Sequence, residues 1–68
     1  MAIGRKSTAY RLTFEDAVDV WIRSWKGEFQ HRIAADYDVN PGRVSEVLKE
    51  RVHVGSRLVA LAKFKGAA

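Results

Sequence analysis

Apolar residues recur along this chain in four helical runs separated by polar breaks. Phe14, Ala17, Val18, Trp21, Ile22 and Trp25 fall on one helical face, with Glu15, Asp19, Arg23 and Lys26 opposite. Thr13 supplies an N-cap, and Asp16 stands three residues on as the short-armed partner of a capping box. Gly27 ends this first helix in a left-handed conformation. A second helix is predicted over 28–37, with Phe29, Ile33, Ala34 and Tyr37 on its apolar face and Glu28 pairing with Arg32 one turn on. Asp38-Val39-Asn40 makes a tight polar turn with one apolar residue inside it. Asn40 is an N-cap and Pro41 the first residue of a third helix over 41–51, which buries Val44, Val47 and Leu48. The pattern breaks over 52–55, as an irregular connection or a very short strand. Ser56 then caps a fourth helix holding Leu58, Val59, Leu61 and Ala62, with Phe64 packing or covering an edge.

These runs predict an all-α fold: a three-helix core plus a C-terminal fourth helix over 13–64, a flexible basic N-terminal arm over 1–12, and a frayed end over 65–68. A chain of 68 residues supports one small domain, and so small a domain buries only about 60% of its unfolded surface. It has no cysteine, so no disulfide or thiolate metal site can brace it. The remaining supports are helix packing and a partner, and a homodimer is the expected partner. Trp21 and Trp25 are expected in the core, with a dimer surface as the alternative for an exposed one. Leu58, Val59 and Leu61 are the other candidates for a dimer surface. No apolar run approaches the roughly 18 residues needed to span a bilayer, and polar Ser7 and Thr8 follow the basic start where a signal peptide would be apolar. No membrane association is expected, and the expected location is cytoplasmic, on the nucleoid when bound to DNA.

Charge changes this picture by where it sits. The net formal charge is +4. Between Glu15 and Glu50 eight acids meet five bases, a local balance of −3, while the flanks carry seven bases and no acid. Positive ends on a small domain suit a polyanion held by arms and edges.

The stretch 30–49, QHRIAADYDVNPGRVSEVLK, resembles the helix-turn-helix of bacterial and phage DNA-binding proteins. Ala34 stands where the two helices approach most closely and a small side chain is needed. Ile33 and Tyr37 match the apolar positions of the first helix, Val39 the apolar turn residue, and Val44 and Val47 the buried positions of the second, recognition helix. Asp38 replaces the usual glycine at a left-handed position, a modest cost because Asp enters that region more readily than most residues. With its basic Gly4-Arg5 arm the chain also looks like the DNA-binding module of serine recombinases, without their catalytic domain.

The resemblance implies double-stranded DNA as partner and a third helix lying in the major groove, where every base pair shows a distinct pattern of donors and acceptors. The base-reading candidates are Asn40, Gly42, Arg43, Ser45, Glu46 and Lys49. Arg43 can pair with guanine, Glu46 can accept from cytosine, and Asn40 divides between base and cap. Phosphate or minor-groove candidates are Arg5, Lys6 and Ser7 in the arm, Gln30, His31 and Arg32 opening the second helix, and Ser56 and Arg57 opening the fourth. Two copies would place recognition helices roughly 34–36 Å apart on a palindromic site.

The expected function is therefore sequence-specific double-stranded DNA binding, as a small transcription regulator of bacterial or phage type acting by occupancy. RNA polymerase or another regulator is a possible further partner. The alternatives are a protein-interaction module, serving as adaptor or inhibitor of a larger regulator, and a DNA-packaging or architectural component. Enzymatic activity is not expected: no nucleophile stands with a base, and no phosphate-binding glycine loop or metal-ligand cluster occurs. No cofactor and no metal are expected.

Overall fold

The computed structural model describes residues 11–66. The arm residues Arg5, Lys6 and Ser7 and the last two alanines lie outside them. Four helices follow in order: α1 (Phe14–Trp25), α2 (Gln30–Tyr37), α3 (Pro41–Leu48) and α4 (Ser56–Gly66). No strand occurs among the described residues, and 52–55 form bends and turns. No described helix is long and apolar enough to cross a membrane.

Each of the first three helices is stopped by the same pair of backbone bonds. Glu28 N–H reaches Arg23 O at 3.1 Å and Gly27 N–H reaches Ser24 O at 3.0 Å. Val39 N–H reaches Ala34 O and Asp38 N–H reaches Ala35 O, at 3.0 and 3.1 Å. Arg51 N–H reaches Glu46 O and Glu50 N–H reaches Val47 O, both at 2.9 Å. This double closure needs a left-handed residue just past the helix. Gly27 (φ 96°), Asp38 (φ 57°) and Glu50 (φ 58°) occupy it. The glycine and Asp38 act as the sequence predicts. Glu50 does not advertise a stop, so α3 ends at Leu48 rather than at residue 51.

The start of α1 also follows prediction. Thr13 Oγ1 accepts from Asp16 N–H at 3.1 Å, and the Asp16 carboxylate accepts from Thr13 N–H at 2.9 Å. The second helix departs from it. Arg23, expected on a solvated face, is half-buried and collects acids from three elements. Its Nε and Nη2 donate to Glu28 Oε1 at 2.9 and 2.7 Å, Nη2 also donates to Asp36, and Asp19 lies 3.8 Å from Nη1. Glu28 is thereby turned back on α1, the Glu28–Arg32 pair does not form, and α2 starts only at Gln30. The bonds to Glu28 first, and to Asp36 second, raise the Arg23 pKa further above its usual range, so this latch stays charged.

The core draws on all four helices: Ala17, Val18, Val20 and Trp21 from α1, Ile33 and Ala34 from α2, Val44 and Val47 from α3, and Ala60 from α4. α1 is the central element. It packs most extensively on α4 and also meets α2 and α3, while α2 packs on α3. Trp21 is buried as expected, and Trp25 is wedged between it and Phe64, with ring centroids 5.7 and 5.5 Å away. Phe29 corrects its placement: 66% exposed, it leaves the core and stacks on His31 at 5.8 Å. Packing extends back beyond the capping threonine of α1. Leu12 packs on the core, and its carbonyl accepts from His53 Nε2 at 2.7 Å. At the other end Lys65 and Gly66 remain helical rather than frayed.

Tyr37 Oη donates to Asp19 at 2.5 Å, tying α2 to α1. Burial, and then the bond to Asp19, push its phenol well above the ordinary value. A raised phenol pKa favours the neutral form in the folded state. This contribution is complete below the unfolded value of about 10 and is lost as pH rises from there through the folded pKa. Urea midpoints should therefore fall above about pH 10, and Tyr37→Phe should remove part of that fall while lowering stability by about 1 kcal/mol near neutrality. Identical alkaline profiles for the two proteins would show that Tyr37 carries none of it.

Candidate nucleic-acid interface

The α2–α3 unit is fixed from inside by small and branched side chains. Ile33, Ala34, Val44 and Val47 are buried between the helices and α1, with Val39 partly buried in the turn. What remains outward on α3 is the candidate reading face.

Asn40 resolves its two roles in favour of the cap. Its Oδ1 accepts from Gly42 N–H at 2.7 Å, and the backbone there is extended. Gly42 is held under this cap, and a Cβ on it would meet Asn40 Oδ1 at 3.1 Å. Asn40→Ala should cost about 1 kcal/mol of stability, while Asn40→Ser should keep most of it. Thermal melts of the two variants check this, and equal losses would deny the cap.

Arg43 is 64% exposed on its side chain and pairs with Glu46, Nη1 lying 3.1 Å from Oε1. Lys49 is exposed, and Ser45 is half-buried. The outward face thus carries Arg43 and Lys49 against Glu46 and the adjoining Glu50, and is close to neutral. Gln30, His31 and Arg32 are exposed on the first turn of α2, whose N-cap, Phe29, makes no side-chain capping bond. The Arg32 N–H is taken by the Phe29 carbonyl at 3.0 Å, which leaves the Gln30 and His31 amides at the helix start as the donors that anions favour.

Two predicted phosphate contacts change. Ser56 is 1% exposed, and its Oγ accepts from Trp21 Nε1 at 3.2 Å, so its hydroxyl joins α4 to α1 and does not reach solvent. It is removed from the phosphate candidates. The reason is its place on the side of α4 that packs on α1, where the hydroxyl is enclosed and engaged by the Trp21 indole. Arg57 is half-buried and pairs with Glu50 at 3.5 Å. The structure adds exposed Phe29 beside His31, which helical spacing alone had placed inward. Among the described residues no group of His, Cys, Asp or Glu could hold a metal ion.

Comparison with family models, curated proteins and solved structures returned no match for this chain. Its functional reading therefore rests on the residues themselves.

Proposed function

We propose that this chain is a sequence-specific double-stranded DNA-binding protein of helix-turn-helix type, with α3 entering the major groove and the first turn of α2 against the phosphate backbone. The observation that carries the reading is the α2–α3 unit. A three-residue turn bearing left-handed Asp38 and half-buried Val39 leads into an Asn40-capped α3, whose inward valines are buried and whose outward Arg43 and Lys49 are exposed. Arg43 reads guanine, Lys49 takes a base or phosphate, and Gln30, His31 and Arg32 set the register. The neutral face of α3 supplies little non-specific attraction. Affinity comes from the basic flanks, including Arg5 and Lys6 of the arm. Occupancy of its site is the simplest way such a protein regulates transcription.

Selection of bound duplexes from a random pool tests this. A recurrent motif is expected, with binding that weakens steeply with salt. A palindromic motif reports two copies on the DNA, and a single half-site reports one. Flat binding across sequences would overturn specific recognition.

A second reading, an adaptor or inhibitor that meets protein and not DNA, draws on the near-neutral outward face of α3. Protein binding with no salt-dependent duplex shift would favour it.

A further inference from the structure

We propose that the outward face of α4 docks an acidic amphipathic helix of another protein, whether or not α3 reads DNA. α4 meets α1 through a single stripe, Ser56, Ala60 and Phe64, spaced one turn apart. The opposite side should then be polar, as on an ordinary surface helix, and it is not. Leu58 is 61% exposed, Val59 39% and Leu61 38%, with Ala62 exposed among them. At about 100° per residue, these four span an apolar strip roughly 160° wide, facing away from α1. Five of the seven large exposed apolar residues of the described chain fall between Val52 and Leu61, so exposure is concentrated at this end of the fold.

The charge around the strip selects its occupant. On the same helical projection Arg57 borders one edge, Lys63 the other, and Lys65 stands at the C-terminal end. α4 contains no acid. Among the described residues the carboxylate paired with these bases is Glu50, on Arg57. A second copy of α4 would bring bases against bases, and the N-terminal arm, with Arg5, Lys6, Arg11 and no acid, would do the same. Duplex DNA would satisfy the bases but would leave the leucines against a polar backbone. An amphipathic helix with a leucine or valine stripe and acidic flanks satisfies both. Small Ala62 and the glycines at either end, Gly55 and Gly66, leave room for its backbone to come close.

The test is selection of displayed amphipathic helical peptides, random at the positions flanking an apolar stripe, against the full chain. Enriched flanks should be Glu- and Asp-rich. The best peptide should bind the Leu58→Glu variant at least about tenfold more weakly. The paired reversal Lys63→Glu with Lys65→Glu should shift enrichment toward Lys- and Arg-flanked peptides. Circular dichroism on each variant guards against loss of fold. If Leu58→Glu unfolds the domain, Leu58→Gln replaces it. Flanks without charge preference, or peptides indifferent to residue 58, would overturn the proposal. So would self-association of the wild type that Leu58→Glu abolishes in sedimentation equilibrium, since a second copy would then cover the strip. Flotation with phosphatidylserine vesicles, lost in the same variant, would assign the strip to lipid and overturn it likewise. A duplex-selection motif obtained alongside any of these results leaves the DNA reading standing.

Discussion

Trp21→Ala is expected to remove about 3–5 kcal/mol of folding stability, the usual cost of emptying a large aromatic site in a core. A domain of this size has only about 3–10 kcal/mol in total, so most of the variant should be unfolded under conditions where the wild type is folded. Trp21 has this leverage because its ring fills the seam between α1 and α4 and its indole N–H satisfies Ser56, the one buried polar side chain among the described residues. Two milder variants separate packing from hydrogen bonding. Trp21→Phe keeps much of the ring but leaves the Ser56 hydroxyl without its donor, at about 1–3 kcal/mol. Adding Ser56→Ala removes the stranded hydroxyl, so the double variant should be less damaged than the sum of the singles by about 1 kcal/mol. Urea melts followed by circular dichroism compare the wild type with Trp21→Ala, Trp21→Phe, Ser56→Ala and the double variant. A strictly additive cycle would mean that the bond contributes nothing beyond packing, and an undisturbed Trp21→Ala midpoint would contradict the burial itself.

The α1–α4 seam also shows how far the sequence could be read. The runs in α1 and α3 are legible because their buried residues repeat every three or four positions and their starts carry caps, Thr13 and Asn40, that have few other uses. Val20 is fully buried yet lies off the stripe first drawn for α1, because that helix is covered on two sides, by α4 and by the α2–α3 pair. A single-face periodicity rule cannot see a second face. Phe29 fails in the opposite direction. Its spacing fits α2, but Gly27 turns the chain and Arg23 captures Glu28, so α2 starts late and Phe29 becomes an extended cap. That Arg23 pairs with Glu28, five residues on, and with Asp36, thirteen on, is a tertiary fact that no local window contains.

The candidate site divides along the same line. Asp38 in the left-handed region and Asn40 on Gly42 were readable because turn chemistry is local. The loss of Ser56 from the phosphate candidates was not, because a serine before an apolar run looks the same whether its hydroxyl caps a helix or meets a tryptophan 35 residues earlier. Glu50 at φ 58° was hidden as well: the Schellman closure sets that conformation, and the side chain gives no sign of it.

On DNA, the largest expected effect belongs to Arg43. Replacing it with Ala should erase discrimination at one base pair, worth about 1–3 kcal/mol or roughly tenfold to a hundredfold in relative affinity. Its present bond to Glu46 does not stand in the way. An exposed pair three residues apart on a helix is worth only about 0.5 kcal/mol, less than a bidentate guanine contact returns. Glu46 then has two possible roles, and one substitution tells them apart. If its carboxylate merely holds Arg43 and repels the duplex, Glu46→Gln should tighten binding to every sequence and leave the selected motif unchanged. If it accepts from a cytosine, the same change should weaken only the preferred site and blur the motif one position from the guanine. Competition binding with single-base variants of the selected duplex distinguishes these outcomes. An Arg43→Ala protein that keeps the full motif would take Arg43, and with it the outward face of α3, out of base recognition.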